Sequence, residues 1–198
     1  MNDENAPPDE KQTELPAIDF QSPGRFSVHN PTSIRSILEQ REPAPFRLGE
    51  HQPLQRFTSA EEAQAHALAL LQQSRSNLCL YTPDLEPWLY NHSSVQDACT
   101  RFLLASPKNR LRILVRDVSR PVKQGHRLLN LAQRISSNLH IRRLNPDHPS
   151  EDIAYLLADA RGLLMRAHPE DYAGYALYND PGRVRLQQAE FDQAWDIS

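Results

Sequence analysis

Two cysteines in 198 residues leave no disulfide framework to read. Cys79 falls in an apolar strand pattern and Cys99 on an apolar helix stripe, where each is expected as a small core side chain. Long apolar runs are missing too, and no stretch approaches the roughly 20 residues that a membrane helix needs. The start, Met1-Asn2-Asp3-Glu4, is acidic and runs into prolines, so it lacks the basic and apolar regions of a secretory signal. A cytoplasmic protein without membrane association is the expectation. The eight histidines show no ligand spacing and no cysteine accompanies them. His148-Pro149 and His168-Pro169 read as loop sequence, so neither a zinc site nor another metal or cofactor is expected. Ser93-Ser94 and Ser136-Ser137 lack the strand-to-helix elbow of a serine nucleophile, which leaves serine hydrolase chemistry without support.

What the chain does have is an uneven distribution of charge. The net value of −3 divides as −4 over residues 1–50, −3 over 51–100, +10 over 101–145 and −6 over 146–198. Between Arg101 and Asn145 stand eleven Lys or Arg residues and one acid, Asp117. Such a window marks a face for an anionic, phosphate-rich partner. The acidic flanks oppose it at long range, so selective binding is expected rather than indiscriminate coating of nucleic acid.

Residues 1–24 are rich in Pro, Asp, Glu, Gln and Asn without an apolar period, which predicts disorder. Thr32-Ser33 can cap a short helix to Arg41 that Pro43 and Pro45 stop, and an extended connector, Phe46 to Phe57, follows. Residues 1–45 are thus read as a disordered or linker region and 46–198 as one α/β domain. Thr58 or Ser59 before Glu61-Glu62 signals a capped helix whose stripe is Ala63, Ala67, Leu70 and Leu71. Strand Leu78–Tyr81 and a helix from Ser94 to Ala105 come next. Leu111–Val115 reads as a strand buried on both faces, followed by a helix from Val122 to Ile135 and strand Leu139–Leu144. Ile153–Ala158 and Leu163–Arg166 make a hairpin about Asp159-Ala160-Arg161-Gly162. Strand Tyr175–Tyr178 and a helix begun by Asp180-Pro181 finish the chain. This order predicts a mixed β-sheet flanked by helices, with ligands beyond the carboxyl ends of the strands near Thr82-Pro83-Asp84, Asp117-Val118-Ser119-Arg120 and Asn145.

The order of elements over residues 55–198 resembles a single half of a phospholipase D superfamily enzyme. That superfamily carries His-x-Lys-x4-Asp on a strand before a hairpin, its His acting as nucleophile and its Lys stabilising the phosphate. The matching segment here is Asp152-Ile153-Ala154-Tyr155-Leu156-Leu157-Ala158-Asp159. Asp159 stands at the motif's Asp, while Asp152 replaces the His and Ala154 the Lys. A carboxylate there repels a phosphodiester, and no second copy of the motif is present, so the resemblance implies a retained fold with lost chemistry and no catalytic residue. Leu48-Gly49-Glu50, Thr82 to Pro87, Gly125-His126-Arg127-Leu128 and Phe191 to Trp195 look like an uncharacterised bacterial domain of this fold. Superfamily halves often pair, so a homodimer is compatible with the resemblance.

The residues expected to bind an anion are Arg110, Arg112, Arg116, Arg120, Lys123, Gly125, His126, Arg127, Arg134, Arg142 and Arg143. Gly125-His126-Arg127 opens a helix whose amides could receive a phosphate, or Gly125 only permits a turn there. Arg142 and Arg143 are consecutive on a strand and face opposite sides, one of them near an acid such as Asp152. Tyr81, Trp88 and Tyr90 either stack on bases or pack in the core, and Asp159 is either a relic of the motif or a turn residue. Three functions stay open at this level. They are a non-catalytic module binding RNA or DNA, an interaction module recruiting a protein through residues 1–50, and a phosphodiesterase with His126 or His140 as a displaced nucleophile.

Overall fold

The helix expected after residue 58 begins with a complete capping box. The Ser59 hydroxyl accepts the Glu62 amide at 3.2 Å, and the Glu62 carboxylate accepts the amides of Thr58 and Ser59 at 2.9 and 3.3 Å. The helix so started is α1 (Ala60–Gln73), and it buries Ala63, Ala67, Leu70 and Leu71. It belongs to a computed structural model that describes residues 41–148 and 152–198. The first 24 residues and, save Arg41 itself, the short helix expected from Thr32 lie outside the described residues.

Seven strands build one sheet: β1 (Gln55–Phe57), β2 (Asn77–Thr82), β3 (Arg110–Val115), β4 (Leu139–Arg143), β5 (Ala154–Ala158), β6 (Gly162–Arg166) and β7 (Gly174–Leu177). Their order is β1-β7-β6-β5-β2-β3-β4, with β2, β3 and β4 parallel and every other pairing antiparallel. The remaining helices are α2 (Pro87–Tyr90), α3 (Ser93–Ala105), α4 (Ser119–Gln124), α5 (Arg127–Arg134) and α6 (Pro181–Asp196). The expected mixed sheet flanked by helices is what forms.

Alternation along the strands splits the core in two. Leu78, Leu80, Leu111, Ile113, Leu156 and Leu164 face α1, α3 and α5 on one side. Cys79, Leu114, Tyr155, Leu157 and Leu163 face α6 on the other, against Val184, Phe191 and Trp195. Every residue of β5 is buried, as a central strand covered on both faces requires.

Besides the short helix α2, which the sequence reading does not contain, two differences have local causes. The helix expected from Val122 to Ile135 is two helices, because Gly125 adopts φ +70° and closes α4 before His126 starts α5. Within the expected connector, Gln55–Phe57 forms a strand by pairing with β7. The β6 to β7 approach there is close enough that only glycine fits, since a Cβ on Gly174 would lie 2.4 Å from the Met165 carbonyl oxygen and 2.6 Å from Phe57 Cζ. No helix among the described residues is long and apolar enough to cross a membrane.

Candidate functional site

The carboxyl ends of β2 and β3 meet the start of β5 and the end of β6 at one edge of the sheet. A groove of about 520 Å³ opens there among Asp84, Trp88, Arg116, Asp117, Arg120 and Asp152. Here the arginines meet carboxylates. Arg116 bonds Asp152 at 2.9 Å and Arg120 bonds Asp84 at 2.9 Å. Below the groove, Arg166 and Glu86, 0% and 2% exposed, form a buried ion pair. Thr82 donates to Glu86 at 3.1 Å, and Arg166 also donates to the carbonyls of Pro169 and Asp171 and lies 4.7 Å from the Trp88 ring centre. Burial pulls the Arg166 guanidinium down to about 10, so it stays protonated at neutral pH. Asp117 is held below the usual carboxylate range by the Ser119 hydroxyl and amide, with Arg143 and Lys123 adding to the effect. Five acids against two arginines line this groove, a balance that repels phosphate. Asn145 is drawn elsewhere, its amide and side chain bonding Ser198 and Ile197.

Asp152 is exposed at this edge, Ala154 presents a buried methyl group, and Asp159 lies at the opposite end of β5. Its backbone sits at φ +53°, and its carboxylate accepts the amides of Arg75, Ser76 and Asn77 at 3.0, 2.8 and 3.0 Å and the Ser76 hydroxyl at 2.8 Å. It thereby fastens the turn between β5 and β6 to the connection between α1 and β2.

The start of α5 has no donors to spare. The amides of Gly125 and His126 go to the Pro121 carbonyl, that of Arg127 to Asn91 Oδ1 at 3.0 Å and that of Leu128 to His126 Nδ1 at 3.2 Å. His126 is 1% exposed, with its Nδ1 lone pair committed to capping and its Nε2 facing the Leu85 backbone without a well-formed hydrogen bond. Burial lowers the ring to about 4. A phosphate finds no free amide in this turn, and a neutral buried imidazole with an occupied lone pair is poorly suited to attack phosphorus. Arg127 reaches Gln96 Oε1 at 3.2 Å.

The remaining basic residues divide by strand parity. Arg110, Arg112, His140 and Arg142 share the sheet face of Leu114, whereas Arg143 lies on the face of Val115. Helix α6 does not reach over the outer part of β3 and β4, and a groove of about 450 Å³ lies there, lined by Arg110, Arg112, His140, Arg142 and Trp195 among others. Arg112 pairs with Asp192 at 2.8 Å and sits 5.1 and 5.5 Å from the Phe191 and Trp195 ring centres. Arg142 lies 4.4 Å over Trp195 and donates through Nη1 to the Trp195 carbonyl at 2.7 Å and to a main-chain oxygen of Ser198 at 3.3 Å. Arg110 donates through Nη1 to the carbonyls of Pro107 and Asn109 at 2.7 and 2.9 Å. Lys123 and Arg134 are exposed on α4 and α5, away from this face. Asp152 is therefore met by Arg116 rather than by Arg142 or Arg143.

Of the three aromatics weighed for stacking, Tyr81 is buried face to face with Tyr155, centres 5.1 Å apart, and Tyr90 is 2% exposed. Trp88 is covered by Arg166 and the edge of Tyr172. Trp195 was not singled out as part of a binding face by sequence. Its only signal is an apolar stripe on α6, and its place under Arg142 depends on tertiary packing.

Solved structures share this architecture. NucT from Helicobacter pylori superposes with a TM-score of 0.55 at 8% identity, over 73% of this chain and 96% of that one. TrmBL2, described as an archaeal chromatin protein with a novel mode of DNA binding, gives 0.54 at 14% identity over 81% of this chain. The present chain spans 56% of that protein's length. At such identities the likeness concerns the fold, a mixed sheet flanked by helices of the phospholipase D-like kind. No curated protein matches the chain. Residues 59–198 match the family model described as a domain of unknown function, DUF7931, and the chain belongs to that family.

Proposed function

We propose that this protein is a non-catalytic, phospholipase D-like module that binds nucleic acid through one basic face. The observation that carries the reading is the uncovered corner of β3 and β4, where Arg110, Arg112 and Arg142 share one side of the sheet beside His140. A cluster of like charges retained on a folded surface without an equal number of acids is suited to a polyanion. The described similarity to a DNA-binding chromatin protein of like fold supports the same class of ligand.

The carboxyl edge supports the loss of phosphodiester cleavage. By the spacing of the His-x-Lys-x4-Asp motif, Asp152 stands at the nucleophile's position and is paired with Arg116, and Ala154 offers no ammonium to the phosphate. The acidic groove leaves no place for a phosphodiester at that edge, so binding and the former chemistry are assigned to different parts of the molecule.

Anisotropy titrations of labelled RNA and DNA, at salt concentrations from about 25 to 200 mM, test the proposal. Affinity should fall linearly on a double logarithmic plot, as counterion release requires. A generic phosphodiester such as bis(4-nitrophenyl) phosphate should remain uncut. Absence of binding to both nucleic acids at the lowest salt would overturn the binding assignment, and turnover abolished by Asp152→Ala or His140→Ala would overturn the non-catalytic one.

A further inference from the structure

The arginines near the two grooves differ in what holds them. Arg112, Arg116, Arg120 and Arg166 are held by carboxylates, which cancel their charge. Arg110 is held by the backbone carbonyls of Pro107 and Asn109, and Arg142 by the Trp195 carbonyl with a longer bond to a main-chain oxygen of Ser198, and in both cases every hydrogen bond runs through Nη1. A carbonyl fixes the guanidinium without neutralising it. The Nε and Nη2 donors of both side chains make no hydrogen bond among the described residues, so each presents an aligned pair of N–H groups on the edge away from its anchor. Arg142 is further flattened on Trp195.

We infer that Arg110 and Arg142 are two pre-set phosphate clamps, and that the module holds nucleic acid by its sugar-phosphate backbone without reading bases. This deepens the proposed function and rests on it. Register places Arg142 opposite Leu114, four residues along β3 from Arg110 and one strand over. Their Cα atoms are therefore roughly 14 Å apart, from about 3.3 Å per residue and 4.8 Å between strands. His140 and the half-buried Arg112 lie between the two on the same face. Fixing the forks in advance removes much of the ordering entropy that a free arginine loses on binding.

The large aromatic ring on this face is closed to a base. Trp195 is 8% exposed and already stacked by Arg142, leaving none of its ring for stacking. The expected ligand preference is therefore for chain length and charge, not sequence.

The test measures binding of oligonucleotides of several base compositions by the full chain and by variants. Wild type should bind oligo(dT), oligo(dC) and mixed sequences within about threefold of one another. Arg110→Ala and Arg142→Ala should each weaken binding by about tenfold, the loss typical of a charged hydrogen-bonded contact. The double variant should flatten the logarithmic salt slope by about 1.4 on single strands and 1.8 on duplex. Arg142→Lys keeps the charge but loses the fork, and should restore the slope while leaving affinity reduced. Arg116→Ala and Arg120→Ala should change affinity less than about twofold, and circular dichroism of each variant checks that the fold is kept. If wild type binds but the double variant matches it in affinity and slope, the clamps are refuted while the binding module stands. Discrimination beyond tenfold between compositions would refute backbone-only recognition. No binding by wild type at any salt would remove both this inference and the function on which it rests.

Discussion

Acid should unfold this protein partly through His126. The ring is 1% exposed, and its Nδ1 accepts the Leu128 amide at the start of α5, so the neutral form is the one the fold requires. Its pKa is lowered from 6.5 to about 4, chiefly by burial, against smaller raising effects from the Leu85 backbone and Asp84 and with the least contribution from His92, which lowers it. The folded pKa lies below the unfolded one, so between them the unfolded chain holds more protons. The contribution is complete above pH 6.5, and it is lost as pH falls toward 4. Between pH 7.5 and 4.5 the two pKa values give a loss of about 2.5 kcal/mol. Urea denaturation at half-unit steps across this range measures it. His126→Asn retains a capping acceptor but not the titration, so its stability should decline less steeply than wild type by that amount. His66, also lowered by burial, titrates in both proteins and cancels in the difference. Parallel pH profiles for wild type and His126→Asn would refute the assignment.

Three further expectations concern the scaffold. Arg166→Met strands the buried Glu86 carboxylate and should cost about 3–5 kcal/mol in urea denaturation, whereas Arg166→Met combined with Glu86→Leu should recover much of the loss. A double variant no better than the single would refute that account. Asp159→Ala removes the acceptor shared by three amides and a hydroxyl, and should destabilise by about 2–3 kcal/mol, with Asp159→Asn intermediate. Equal stability of all three proteins would show that water replaces the carboxylate. Gly174→Ala forces a Cβ against the Met165 carbonyl, Phe57 and Arg166, and a thermal melt should fall by several degrees, about 2 kcal/mol or more for a chain of this size. An unchanged melting temperature would mean that β7 can shift freely.

The long helices α1, α3 and α6 and the central strands were legible because their signals are local: the Ser59–Glu62 box, the stripe of α1 and the apolar run of β3 each sit within a few residues, whereas the single turn of α2 (Pro87–Tyr90) was not. Strand β1 was not legible, since three residues carry too little alternation and Gln55–Phe57 is extended only because β7 lies beside it. Gly125 was recognised as a turn or anion site, but its effect of dividing the helix depends on the positive φ that the fold selects. The basic window located charge along the chain, not in space. Arg112, Arg116 and Arg120 find their acids at Asp192, Asp152 and Asp84, each more than thirty positions away, and no local pattern announces such pairs. The anchorage of Arg142 on Trp195 and Ser198 is likewise invisible until α6 is packed against the sheet.

Among the described residues the sheet ends at β4, which has a hydrogen-bonded neighbour only on the β3 side. Such a margin invites another copy to add a strand, and charged side chains are a common guard against it. Arg142 and Arg143 project from its two faces, so positive charge protects whichever way a second molecule approaches. A polyanion lying across Arg142 would weaken that guard on one side, making colloidal behaviour dependent on occupancy: saturated protein should tolerate less concentration before clouding than the empty form at the same ionic strength.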